Sequence, residues 1–154
     1  MLRLSRENWA RICDSAARDY PSECCGIITR SKSGSCKVHP CANIQDRLHA
    51  KDPEGHPRDS RTAYRMDDLE VFRILDDAER SGLVLAAFYH SHIDCEAYFS
   101  QEDRTAALFG EHPAYPGALH LVLSVRGGEV GGHKAFAWNP SAKEFEQVPV
   151  SIDP

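Results

Sequence analysis

Apolar and polar positions follow two different periods along this chain. After Ser5, the apolar residues Trp9, Ile12, Cys13, Ala16 and Ala17 recur at the spacing of a helix face, with Ser5 placed as N-cap and Pro21 as a stop. "ECCGIITR" then reads as a strand and "SKSGS" as a tight turn. "CKVHPCANI" reads as a returning strand, whose Pro40 marks an edge or a bulge. Residues 45–60, "QDRLHAKDPEGHPRDS", are the most polar stretch and read as a long surface loop, a kind of segment that often carries function. "RTAYR" reads as a short strand. "MDDLEVFRILDDAERSG" predicts the clearest helix, with Leu69, Phe72, Ile74 and Leu75 on one face, an Asp-rich start and Gly82 at its end. "LVLAAFYHSH" is almost continuously apolar, the pattern of a central strand covered on both faces. "SQEDRTAALFG" reads as a short helix ending at Gly110, "HPAYPG" as a loop and "ALHLVLSV" as a second buried strand. After the glycine-rich turn "RGGEVGG", "HKAFAWN" and "EFEQVPVSI" read as a terminal hairpin around "PSAK". Strands and helices interleave without internal repeats. The expected class is α/β (α+β), one domain over residues 1–154, with a mixed β-sheet flanked by helices.

Composition narrows the functions open to such a domain. The 154 residues suffice for one buried core. A formal net charge of -5 and a pI near 5.9 argue against broad phosphate-backbone binding, so no nucleic-acid partner is expected. The longest apolar run, "LVLAAFY", is strand-sized, so no membrane partner is expected either. The N-terminus lacks the apolar core and cleavage site of a secretory signal. Six cysteines, at 13, 24, 25, 36, 41 and 95, then read as reduced thiols, and the expected location is cytoplasmic. "CKVHPC" looks like half a zinc knuckle (Cys36, His39, Cys41). It has no second pair at finger spacing and reads as packing residues on a strand.

The chemistry concentrates in "FYHSHIDCEAYFSQED". His90 and His92 are alternate residues of one strand, so both imidazoles face the same side, at the end where α/β folds place ligands. Two imidazoles begin a zinc site, but a catalytic zinc needs a third protein ligand and an open position. Asp103 would fall in the first turn of a helix begun by Ser100. Asp94, Glu96 and Glu102 are also near, and spacing alone does not choose among them. Separately, "SQED" has the form of a helix capping box.

Taken together, His90-x-His92, seven residues, Ser100, two residues and Asp103 resemble the signature of the JAMM metalloproteases. These are the catalytic branch of the Mov34/MPN/PAD-1 (JAB) domain family. "YPSECCGIITR" supplies Glu23 just before a Cys25-Gly26 pair, where that family has a catalytic glutamate. "YPGALHLVLSV" and "KAFAWN…FEQVPVSI" also look like the later strands of compact bacterial members, so the resemblance covers nearly the whole chain and is weakest over 45–60. It departs at Ile93, where many members have proline after the second histidine; no ligand is lost by this.

The resemblance implies a JAB/MPN fold, related to cytidine deaminases, and a Zn²⁺ ion held by His90, His92 and Asp103. It also implies Glu23 as general base and Ser100 as oxyanion stabiliser. The implied reaction is hydrolysis of a peptide or isopeptide bond at the C-terminus of a ubiquitin-like or sulfur-carrier protein with a Gly-Gly-type tail. The bond could be cut by trimming that tail or by releasing an attached amino acid such as cysteine. A side-chain-free tail suits an extended pose along a sheet edge. One rival is a non-catalytic MPN scaffold, but such relatives lose metal ligands and all five positions are present here. A second is a zinc nucleobase deaminase, whose His-x-Glu and Pro-Cys-x-x-Cys pattern is missing: Pro40-Cys41 is followed by Ala-Asn-Ile.

Overall fold

The computed structural model describes residues 1–154. In chain order the elements are β1 (Leu2–Leu4), α1 (Arg6–Asp19), β2 (Cys25–Arg30), β3 (Cys36–Cys41), α2 (Gln45–Lys51), α3 (Asp68–Arg80) and β4 (Val84–Ile93). They continue with α4 (Gln101–Ala107), β5 (Leu108–Phe109), β6 (His112–Pro113), β7 (Leu119–Arg126), β8 (Glu129–Asn139), β9 (Glu144–Val148) and β10 (Val150–Ile152). Six strands form a mixed sheet in the order β3-β2-β4-β7-β8-β9. Only the central β4–β7 pair is parallel; the others are antiparallel. The α+β class and the mixed sheet flanked by helices agree with the sequence pattern, and Pro40 does lie on an edge strand.

Each face of the sheet is covered by one helix. Ser5 caps α1, its hydroxyl accepting the Asn8 amide, and α1 packs Ile12 and Ala16 onto one face with Ile28, Tyr89, Leu121 and Leu123. On the other face α3 lays Val71, Ile74 and Leu75 over Ile27, Cys41 and Phe88. β4 therefore sends Tyr89 into one core and Phe88 into the other, as the period of two requires. Gly26 stands opposite Tyr89 on β2, and a Cβ there would collide with the tyrosine ring.

Several readings of the sequence are corrected here. The helix in "SQEDRTAALFG" ends at Ala107, Leu108–Phe109 pairs with His112–Pro113, and β8 already begins at Glu129 within "RGGEVGG". Residues 45–60 are not all loop, because α2 occupies Gln45–Lys51; it buries only Gln45 and has no side-chain N-cap, so neither helical signal was present. "RTAYR" is not a strand, for its backbone bonds to the 43–44 segment instead of a sheet. On α3, Leu69 and Phe72 are 54% and 64% exposed, since the face that meets the sheet is set by Val71, Ile74 and Leu75. The last strand leaves the hairpin after Pro149, and β10 pairs in parallel with β1, an N-terminal strand too short to show a period.

Candidate metal centre

His90 and His92 project from the end of β4 on the side of Phe88, and they are 1% and 6% exposed. The serine between them faces the other way and does separate work. Ser91 Oγ accepts the Cys24 amide at 2.7 Å, and the Ser91 amide donates to the Cys24 carbonyl at 3.0 Å. These bonds tie the entry to β2 against the end of β4, in the register that pairs Cys25 with His90. Glu23, one residue before Cys24, is thereby buried beside the two imidazoles. Its own backbone is fixed by the Ser60 carbonyl at 2.7 Å and by the Asn43 side-chain amide at 2.9 Å.

The fourth group arrives on α4. Ser100 and Asp103 form a complete capping box: the Asp103 amide donates to Ser100 Oγ and the Ser100 amide to Asp103 Oδ2, each at 3.0 Å. The cap and the site are the same atoms. Asp103 Oδ1 lies 3.2 Å from His90 Nε2, and Oδ2 lies 3.2 Å from His92 Nε2. The two Nε2 atoms are themselves 3.2 Å apart. Glu23 closes the group more loosely, with its carboxylate and the two imidazole nitrogens all within 4.8 Å of one another.

This donor set fits a zinc ion. With zinc–nitrogen and zinc–oxygen bonds of about 2.0–2.2 Å, two ligands at a tetrahedral angle stand about 3.3 Å apart. The three 3.2 Å separations match that value. Proton accounting points the same way. His92 Nδ1 sits 3.3 Å from the Glu96 carbonyl, which only accepts, so Nδ1 carries a proton and Nε2 is the ring nitrogen turned to the other donors. That nitrogen faces the Asp103 carboxylate and a second imidazole nitrogen, an arrangement a bound cation would satisfy.

The two carboxyl groups are driven in opposite directions. Burial works to raise Asp103, but the imidazoles of His90 and His92 and the Ser100 amide outweigh it and hold the acid well below the usual carboxylate range. Glu23 is pushed up to about 9, first by burial and then by the negative charge of Asp103, with Arg58 opposing. Burial also lowers His90, favouring the neutral ring that a metal requires. The site thus pairs a fixed anion with a carboxyl that readily holds a proton.

The competing acids are elsewhere. Asp94, at φ 54°, turns its carboxylate toward the Tyr20 hydroxyl and the Gly127 amide. Glu102 is ion-paired to Arg58 at 2.8 Å, and Glu96 meets His92 only through its carbonyl. Cys24 is buried in the core, while Cys95 is half-buried and lines the groove in front of the site. In "CKVHPC" His39 bonds Thr29 and both cysteine thiols face backbone carbonyls, so no metal cluster forms there.

Two supporting residues carried no signal in the sequence. Tyr64 stacks on His90, with ring centroids 4.4 Å apart and planes 22° apart. Asn43 uses its whole side-chain amide: it donates to the Glu23 and Ala63 carbonyls and accepts from the Gln45 and Arg65 amides. They flank the polar segment 45–60, in stretches whose pattern reads as strand, and only a long-range partner gives either residue its meaning.

The family described as prokaryotic homologs of the JAB domain matches this chain over residues 5–138. The chain belongs to that family. Among curated proteins, this JAB domain is 28% identical over 142 residues to "Desampylase" of Haloferax volcanii, covering 91% of this chain and 85% of that one. It is 32% identical over 114 residues to "CysO-cysteine peptidase" of Mycobacterium tuberculosis; that match covers 72% of this chain but only 64% of the relative's length. Among solved structures, a protein from Desulfitobacterium hafniense superposes with a TM-score of 0.70 at 19% identity, covering 99% of this chain and 93% of that one. A JAB1/MPN domain protein from Archaeoglobus fulgidus superposes with a TM-score of 0.54 at 14% identity, covering 99% of both chains. These two likenesses speak for the fold. Of the two curated relatives, the second carries the name of a peptidase. No helix is long and apolar enough to cross a membrane.

Proposed function

We propose that residues 1–154 act as one zinc metallopeptidase domain, which hydrolyses a peptide or isopeptide bond at the C-terminus of a ubiquitin-like or sulfur-carrier protein. The observation that carries the reading is the convergence of His90, His92 and Asp103 at 3.2 Å, with Glu23 beside them. His90 Nε2, His92 Nε2 and Asp103 would hold the ion. Asp103 suits the ligand role better than Glu23, because it touches both imidazoles and stays ionised. The bound zinc supplies Lewis-acid chemistry, polarising the scissile carbonyl and acidifying water.

Glu23 takes a proton from the attacking water as the oxygen bonds to the carbonyl carbon. It then delivers that proton to the leaving amine nitrogen as the C–N bond breaks. Its burial and its taste for a proton suit the second half of that cycle. Ser100 Oγ accepts the Asp103 amide, which leaves its hydroxyl hydrogen free to donate to the oxyanion. Nothing in this sequence of events uses a cysteine nucleophile. The substrate class is taken from the names of the curated relatives and from the family resemblance. Six free cysteines suit a reducing cytoplasm.

The test is metal analysis followed by cleavage. Purified protein is expected to hold about one zinc per chain, and to shorten a carrier protein bearing a C-terminal extension, read by mass spectrometry. Glu23→Gln should keep the zinc and lose cleavage by a factor on the order of 10² or more. A protein that stays metal-free in excess zinc, or a Glu23→Gln variant that cleaves normally, would end this reading.

A further inference from the structure

A larger cavity lies beside the metal centre, between α3, the end of α4 and the sheet. It shares Tyr64 and Ala106 with the groove in front of the site, and its volume is about 570 Å³, a size that suits a small molecule. Its floor is aromatic. Phe88 stacks on His120 with ring centroids 5.8 Å apart, and Tyr115 leans on Phe88 at 5.0 Å. His120 is the group that points to a ligand. It is 8% exposed and packed among Phe88, Phe99 and Phe145. Neither of its ring nitrogens bonds another protein atom, yet neither is fully occluded, and the ring lines this cavity. Buried polar groups normally have partners, and for this ring the cavity is the side from which one can come. Burial pushes the imidazole down to about 4, so at neutral pH it is uncharged and offers one N–H and one lone pair.

The rim sets the sign of the ligand's charge. The carboxylates of Asp68, Asp76 and Glu79 line it against one guanidinium, that of Arg65. Arg65 pairs with Asp68 at 3.3 Å and Arg80 with Asp76 at 3.1 Å, so Glu79 is the carboxylate left without an ion pair. Aromatic faces also favour a cation over an anion. From this juxtaposition we infer that the cavity binds a small aromatic amine. The ring lies against Phe88 and Tyr115, a ring heteroatom bonds His120, and the ammonium group stands at the carboxylate rim. A protein surface laid on this rim would have to send a long side chain down to His120, whereas a free amine enters whole. The site is separate from the metal ligands and does not depend on the peptidase reading. It also gives a role to Phe72, which helical spacing puts on an apolar face and which stands exposed at the cavity's edge.

The experiment titrates tryptamine into the full chain, with zinc and again in chelator, and follows amide NMR shifts. Saturable shifts are expected around Leu75, Tyr115 and His120 under both conditions, with a Kd on the order of 1 mM or tighter. Indole-3-acetate, the same ring with the opposite charge, should bind about threefold or more weakly. Cyclohexylamine, a cation without an aromatic ring, should bind about tenfold more weakly. His120→Phe keeps a ring of similar shape without its nitrogens and should weaken tryptamine about fivefold. Phe72→Ala, at an exposed position, should weaken it about threefold without touching the core. No saturable shift up to about 10 mM overturns the inference. Equal binding of the two indoles overturns it, as does full affinity in both variants. Shifts centred on His92 and lost in chelator would put the amine on the metal and overturn it too. A chain that ignores tryptamine and sediments as a dimer split by Phe72→Asp would assign the groove to a second copy, against the inference.

Discussion

Asp103 serves three partners with two oxygens, and Glu23 serves none tightly; this contrast sets how the site responds to pH. In the metal-free protein, Glu23 binds its proton more strongly folded, at about 9, than at its ordinary value of 4.5. As pH rises above the lower value the unfolded chain sheds that proton first, so stability falls with increasing pH. Glu23→Gln removes the dependence. Denaturant titrations in chelator should show the variant gaining on wild type between pH 5 and 8, approaching about 1.4 kcal/mol per pH unit. Parallel curves would mean that Glu23 is ionised inside the fold. At this scale residue type and spacing made only the His90–His92 pair legible, and the family resemblance pointed to Glu23, Ser100 and Asp103; the structure brings all five together. The sequence was silent on Asn43 and Tyr64, because a lone Asn in "CANI" or Tyr in "RTAYR" differs from an ordinary strand-end residue only by its partners.

Among elements, the contact between β2 and β4 positions the centre, and it depends on a missing side chain. Gly26 lets the buried Tyr89 ring cross the neighbouring strand. Gly26→Ala must displace that ring or separate the strands, an overpacking cost of about 1–3 kcal/mol, visible as a lowered Tm. The polar segment behind the site depends in turn on Asn43. Asn43→Ala deletes four hydrogen bonds, two of them to the backbone around residues 63–65. It is expected to cost about 2–4 kcal/mol and to raise the protease sensitivity of residues 52–65. Cleavage patterns that match wild type would show that the segment holds itself in place. Helix periodicity located α1 and α3, and the cap located α4, which ends at Ala107 and not at Gly110; α2 escaped, since a helix that buries only Gln45 has no apolar face to display.

For the whole molecule, the pattern gave the class and the covered central strand but not the order of strands. The parallel pairing of β4 with β7, and of β1 with β10, joins segments far apart in sequence, which no local period encodes. The family resemblance supplied what periodicity lacked, because the signature spans the junctions between elements: the start of β2, the end of β4 and the first turn of α4. The proposed ion would be held by the last two of those places, with the first beside it. Added zinc should therefore raise Tm in a concentration-dependent way, and the rise should vanish in His92→Ala.

One more property follows from the shared carboxylate. Asp103 Oδ2 holds both the Ser100 amide and the edge of the His92 ring. A seven-residue helix is marginal by itself, so its first turn draws its persistence from whatever keeps that oxygen in place. The solvent-exchange rates of the Ser100 and Asp103 amide protons then become a gauge of occupancy, slow when the centre is filled and faster by an order of magnitude or more when it is emptied.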